Sequence, residues 1–170
     1  AEAMKKIERK LNKKVDVVIM IQGDEPMLYP EMIDSVAKLF IEDKSIYIIN
    51  GRFMRAIFGQ YYDTDIVKLV VDRNNFALWF FRKPSSLWEE AIATLPIRIQ
   101  TGIIAFRRDF LIQYNSLKPT PFERMLKVDM LRVLENGLKL KTVLSKKRLY
   151  SVDTLKDLKL VEKKMKNDEL

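Results

Sequence analysis

A chain of 170 residues, 48% apolar and 32% charged, is long enough for one domain with a buried core and too apolar for a disordered segment. It contains no cysteine and no histidine, which excludes disulfides, thiolate or histidine-bound zinc, and imidazole acid–base chemistry. The net charge of +8 is concentrated in lysines between Lys5 and Lys14 and between Lys139 and Lys166, without an arginine-rich run, so it reads as a basic solvated surface and not as a nucleic-acid footprint.

Residues Glu2 to Lys13 carry Met4, Ile7 and Leu11 at helical spacing, which predicts the end of an amphipathic helix. Val15 to Ile21 is a nearly continuous apolar run rich in β-branched residues, as expected of a strand covered on both faces in a parallel sheet. The turn Gln22-Gly23-Asp24-Glu25-Pro26 follows, and Pro30 then opens a helix bearing Met32, Ile33, Val36, Leu39 and Phe40. Ser45 to Ile49 is a short strand candidate. Ile66 to Val71 and Phe76 to Phe81 form a predicted hairpin around Asp72 to Asn75, followed by a loop at Lys83 to Ser86. Ile97 to Phe106 reads as a strand interrupted by Gly102, and Asp109 to Leu117 as a helix. Pro119 and Pro121 precede one long predicted helix from Phe122 to about Asn136, closed by Gly137. Leu138 to Leu144 is a strand, and Thr154 caps a final helix with Asp157 three residues on. The expected fold is a single α/β domain over residues 1–170, with a mixed, mostly parallel sheet and helices on both faces. No apolar run approaches bilayer-spanning length, and a cytoplasmic location is expected.

Three places carry candidate chemistry. Open α/β sheets bind ligands beyond the carboxyl ends of their strands, and Asp24 stands there, together with Glu25, directly after the most hydrophobic strand. It can hold a divalent cation on oxygen ligands, as Mg2+, Mn2+ or Ca2+ requires, or it can simply cap a turn shaped by Gly23 and Pro26. Asp153 ends another strand-like stretch and either joins such a cation or favours the dipole of the helix that follows. Arg82 closes the aromatic strand Leu78 to Phe81, where it either grips a carboxylate or phosphate or pairs with a surface acid.

Taken in order, these segments resemble the CMP-Kdo synthetases, the 3-deoxy-manno-octulosonate cytidylyltransferases. Gln22-Gly23-Asp24-Glu25-Pro26 is similar to that family's QGDEP turn, and Ile66 to Val70 with Ala77 to Pro84 to its VVKVV and ALYFSR-x-P segments. Gly102 to Leu111 resembles its GIYAYR-x-x-FL stretch, and Pro119 to Glu123 with Leu131 to Gly137 its P-x-PLE and LR-x-LE-x-G helix. Val152-Asp153-Thr154 with Asp157-Leu158 is similar to its VDTPEDL ending.

The resemblance implies a nucleotide-diphospho-sugar transferase fold. It also implies a transferase that joins CTP to Kdo or a related 3-deoxy sugar acid for lipopolysaccharide synthesis, releasing pyrophosphate. It assigns Mg2+ to Asp24 and Asp153 as the catalytic pair, and substrate binding to Gln22, Arg82, Gln100 and Glu123. A homodimer is implied, with no nucleic-acid or membrane partner. The family's opening strand and its phosphate-gripping loop have no counterpart among these residues. The chain is therefore expected to be N-terminally incomplete and inactive alone, the alternative being a catalytically inactive relative or partner subunit. Gln100 stands where the family commonly has histidine, and Asp129-Met130 where it has Glu-Gln.

Overall fold

The computed structural model describes residues 1–55, 58–83, 97–145, 147 and 149–166. Thirteen elements are described: α1 (Glu2–Leu11), β1 (Val17–Ile21), α2 (Pro30–Glu42), β2 (Ile48–Arg55), α3 (Phe58–Tyr62), β3 (Lys68–Val71), β4 (Ala77–Phe81), β5 (Arg98–Arg107), α4 (Arg108–Ser116), α5 (Pro121–Leu126), α6 (Leu131–Glu135), β6 (Lys141–Leu144) and α7 (Leu155–Met165). The predicted loop at Lys83 to Ser86 lies outside the described residues beyond Lys83.

Ten-residue β5 is the spine of the six-stranded sheet, whose path runs β4-β3-β5-β2-β6 with β1 also on β5. Strand β2 runs along one edge of β5, from Ile48 opposite Phe106 to Arg55 opposite Arg98. The other edge is shared. β1 pairs with residues 103–107 and β3 only with Arg98 and Ile99. Side chains alternate across this spine. Ile104 and Phe106 pack with Leu69, Phe80, Met130 and Leu131, whereas Ile103 and Ala105 pack with Met32, Val36 and Phe40 of α2. Burial of each such large side chain contributes about 1.5–3 kcal/mol, so β5 is fixed from both faces.

The mixed α/β class is as expected, but the proportion is not: among the described ladders only β2–β6 is parallel, and the four others are antiparallel. A continuous apolar strand reports cover on both faces, and β5 has that cover without a parallel neighbour. For β1 the cover is partial, with Val17 to Ile19 half-buried and Met20 and Ile21 exposed. The candidate strand at 45–49 is really the start of β2, displaced to Ile48 and prolonged to Arg55. Gly102 does not interrupt β5.

The long helix expected from Phe122 is two short ones. Lys127 adopts a left-handed conformation (φ 53°), which ends α5 and redirects the chain so that Val128, Met130 and Leu131 enter the core. Arg82 binds two of the carbonyls this break releases, donating from Nε to Leu126 O (3.1 Å) and from Nη2 to Lys127 O (3.3 Å). The expected stop at Gly137 is present. Gly137 N bonds Leu134 O and Leu138 N bonds Val133 O around a positive φ of 71°, the pattern of a Schellman cap.

Candidate active site

Because β1 and β3 divide one edge of β5 between them, residues Gln100 to Gly102 face a gap in the sheet. Loop groups close it. Gln100 N donates to Val67 O (2.9 Å), and Gln22 N, just past β1, donates to Gly102 O (3.3 Å). The remaining ladder donor, Gly102 N, goes to Glu25 Oε1 at 2.8 Å. The Glu25 carboxylate thus takes the place of a strand carbonyl and ties the Gln22–Pro26 turn to β5. A Cβ at Gly102 would lie 2.7 Å from Gln22 Oε1 and 2.9 Å from Glu25 Cδ, so this close approach needs glycine. On its far side the turn accepts Val152 N on Asp24 O (2.8 Å), which sets Asp24 beside the Val152-Asp153 stretch leading to α7.

The cavity over this gap has a volume of about 930 Å³, and all six sequence-expected residues line it: Gln22, Asp24, Arg82, Gln100, Glu123 and Asp153. They come from β4, β5, α5, the turn after β1 and the approach to α7, so the fold brings together positions up to 131 apart in the chain.

Their hydrogen-bond states differ sharply. Asp24 and Asp153 are exposed, and the Asp153 carboxylate accepts only a bond from Ser151 Oγ (2.9 Å) among the described contacts. Arg82 is spent on the main chain, donating to Leu126 O, Lys127 O, Thr64 O (3.3 Å) and Asp65 O (2.7 Å). Glu123 receives both Arg132 Nε (2.8 Å) and Arg132 Nη2, plus Thr120 N (3.1 Å), and this ion pair holds its carboxyl below the usual range. Both Arg82 and Glu123 therefore form wall and framework here. Asp129 also lines the cavity, but neighbouring Met130 is fully buried in the core, so of the two departures at that point only the carboxylate faces the site.

The sequence places Glu25 beside Asp24 at the strand end but does not convey its tie to Gly102, since nothing local marks the two acids off from each other. Glu25 is 9% exposed, its Oε2 has no partner, and burial, with the charges of Asp24 and Asp153 adding, pushes its carboxyl upward against the opposing Gly102 bond. The charges of Asp24 and Asp153 thus both reach Glu25 beyond the end of β1, a field that favours a cation. No set of three acidic side chains among the described residues is close enough to enclose a metal. Two carboxylates with room for phosphate oxygens and water fit Mg2+, which seldom takes an all-protein cage. Arg124, Lys127 and Lys156 supply positive charge around the same cavity.

Comparison with known proteins agrees with this architecture. The family model described as cytidylyltransferase matches residues 1–147. The 3-deoxy-manno-octulosonate cytidylyltransferase of Geotalea uraniireducens (strain Rf4) is 34% identical over 161 residues, covering 89% of this chain and 64% of its own length. The mitochondrial 3-deoxy-manno-octulosonate cytidylyltransferase of Arabidopsis thaliana is 35% identical over 160 residues, 92% of this chain and 54% of its own. The chain thus spans less than two thirds of the length of these relatives. Among solved structures, a CMP:2-keto-3-deoxy-manno-octonic acid synthetase complexed with CTP superposes with a TM-score of 0.83 at 24% identity, over 98% of this chain and 68% of that one. The inositol-1-phosphate CTP transferase from T. maritima gives 0.60 at 16% identity, over 99% of this chain and 63% of that one.

Proposed function

The chain belongs to the cytidylyltransferase family, and on that premise we propose that it serves the transfer of a cytidylyl group from CTP to Kdo or a closely related 3-deoxy sugar acid. The observation that carries the reading is the stitched turn. Glu25 on Gly102 and Asp24 O on Val152 N fix two exposed carboxylates, Asp24 and Asp153, at one wall of the cavity. The names of relatives at 34–35% identity, 3-deoxy-manno-octulosonate cytidylyltransferases, support the choice of sugar acid.

In the proposed reaction the anomeric hydroxyl oxygen of the sugar attacks the α-phosphorus of CTP. The bond from that phosphorus to the bridging oxygen breaks, pyrophosphate leaves with the bond's electrons, and the hydroxyl proton is lost to solvent or base. Asp24 and Asp153 would hold Mg2+, which when bound offsets negative charge on the phosphates. The chain's other residues bind and orient. Gln22 and Gln100 offer amide donors and acceptors from the floor. Arg124, Lys127 and Lys156 attract the anionic substrates. Arg82 and Glu123 keep the opposite wall in place by binding main chain and Arg132.

The test is CTP-dependent pyrophosphate release with Kdo, using the polypeptide as it occurs in its source cell, for wild type and Asp24→Asn. The expected result is product from wild type and a loss of about 100-fold or more in the variant. Undiminished turnover in Asp24→Asn refutes the assignment of the carboxylate pair.

A further inference from the structure

Two of the basic side chains drawn into the described structure, Lys68 and Arg107, are satisfied by main-chain carbonyls. Lys68 donates to Asp63 O, Ile66 O (2.9 Å) and Arg82 O (2.6 Å), and Arg107 to Ile46 O (2.7 Å), Phe40 O (2.7 Å) and Asp43 O (3.0 Å). Two arginines break the pattern. Arg52 of β2 is 5% exposed. Its Nε donates to Thr142 Oγ1 (2.8 Å) and its Nη2 to Asn75 Oδ1 (2.6 Å), while Nη1 is buried without a partner. Arg98 opens the adjacent strand β5, and its Nε is likewise buried without a partner. Neither arginine joins an ion pair among the described residues, whose ion pairs all lie elsewhere. The register pairs Arg52 with Gln100, two residues from Arg98 on the same face of β5, and burial first, then the Arg98 charge, lower the pKa of Arg52.

Two neighbouring cations, Arg52 buried and Arg98 half-buried, with no acid paired to either among the described residues, are costly. A water molecule can accept from the free N–H groups but leaves the paired charge uncompensated. An oxyanion does both, and the planar guanidinium fork matches it. The pair lies nearest solvent at the hairpin turn, where Arg52 Nη2 donates to Oδ1 of Asn75, an exposed residue. Neither arginine lines the large cavity, although Phe53, Ile99 and Gln100 beside them do.

We propose that Arg52 and Arg98 form a binding site for a small dianionic oxyanion of the phosphate or sulfate type, separate from the Asp24–Asp153 cavity. The site counters the mutual repulsion of the two guanidinium groups and locks β2 to β5 at that end of the sheet.

The test is thermal unfolding of the chain in sodium phosphate at about 10 mM against sodium chloride of equal ionic strength, at one pH. Wild type is expected to melt several degrees higher in phosphate. Lys156→Met, which removes a cation of the large cavity, should keep that shift. Arg52→Met should lose it, and should melt no lower than wild type in chloride because an uncompensated buried charge has gone. If Arg52→Met does not fold, Arg98→Met is read by the same comparison. No phosphate shift in wild type overturns the proposal. So does a shift retained in the arginine variants, or one lost in Lys156→Met, which would put the anion in the cavity.

Discussion

The two walls of the central cavity are built from similar side chains used in opposite ways. On the wall beyond β1, the stitching is done by main chain and by Glu25, and the carboxylates of Asp24 and Asp153 are left open to the cavity. On the wall of β4 and α5, the charged groups are themselves the stitching: Arg82 sits on four carbonyls, and Glu123 is clamped by Arg132. A charged residue in a cleft is therefore no guide to chemistry until its hydrogen bonds are counted. The first wall has donors and acceptors to offer a ligand. The second gives shape.

The contrast can be broken at four points. The largest effect is expected from Asp24→Asn, which should lower turnover by about 100-fold or more while leaving the denaturation midpoint nearly unchanged, because Asp24 is exposed and only its main-chain oxygen is structural. Arg82→Met should do the reverse. Loss of its bonds to Leu126, Lys127, Thr64 and Asp65 is expected to cost about 2–3 kcal/mol of stability in urea unfolding. If activity falls far more than folding accounts for, the second wall is chemical after all.

A smaller effect is expected at Gly102. Alanine there pushes against Gln22 and Glu25, shifting the turn that aims Asp24, and should lower turnover roughly tenfold with about 1–2 kcal/mol lost from stability. Turnover equal to wild type would show that the turn does not need its tie to β5.

The smallest effect concerns pH. Burial lowers the Lys68 pKa from 10.5 to about 8. Between about pH 8 and 10.5 the unfolded chain therefore binds more protons than the folded one, so this group's contribution to stability rises with pH across that window and is lost as pH falls through 8. Denaturant midpoints of wild type and Lys68→Met, measured from pH 7.5 to 9.5, should converge or cross in wild type's favour as pH rises. A gap independent of pH would mean that Lys68 titrates as an exposed lysine does.

How much of this was legible in the sequence depended on the range of the forces involved. Local patterns held: Pro30 opens α2, Asp72 to Asn75 turn the β3–β4 hairpin, and Thr154 with Asp157 form a reciprocal cap for α7 through Thr154 N to Asp157 Oδ2 (2.9 Å) and Asp157 N to Thr154 Oγ1 (3.3 Å). Motif resemblance then placed six side chains that do converge on one cavity. What failed was long-range. The helix after Pro121 breaks at Lys127 because Arg82, 45 residues upstream, binds the released carbonyls and because Met130 must reach the core. Strand direction is equally non-local, since an apolar run has the same composition whichever way its neighbour points. The role of Glu25 was hidden for a related reason: it depends on Gly102, 77 residues away.

The central claim is that Asp24 and Asp153 act as one cation-binding pair. The most direct test is Mn2+ titration, followed by electron paramagnetic resonance in the presence of CTP, on wild type and on Asp24→Asn, Asp153→Asn and the double variant. The claim predicts that either single change removes most of the bound Mn2+ and that the double variant is scarcely worse than either one. Wild-type Mn2+ affinity in a single variant, or losses that simply add, would contradict it.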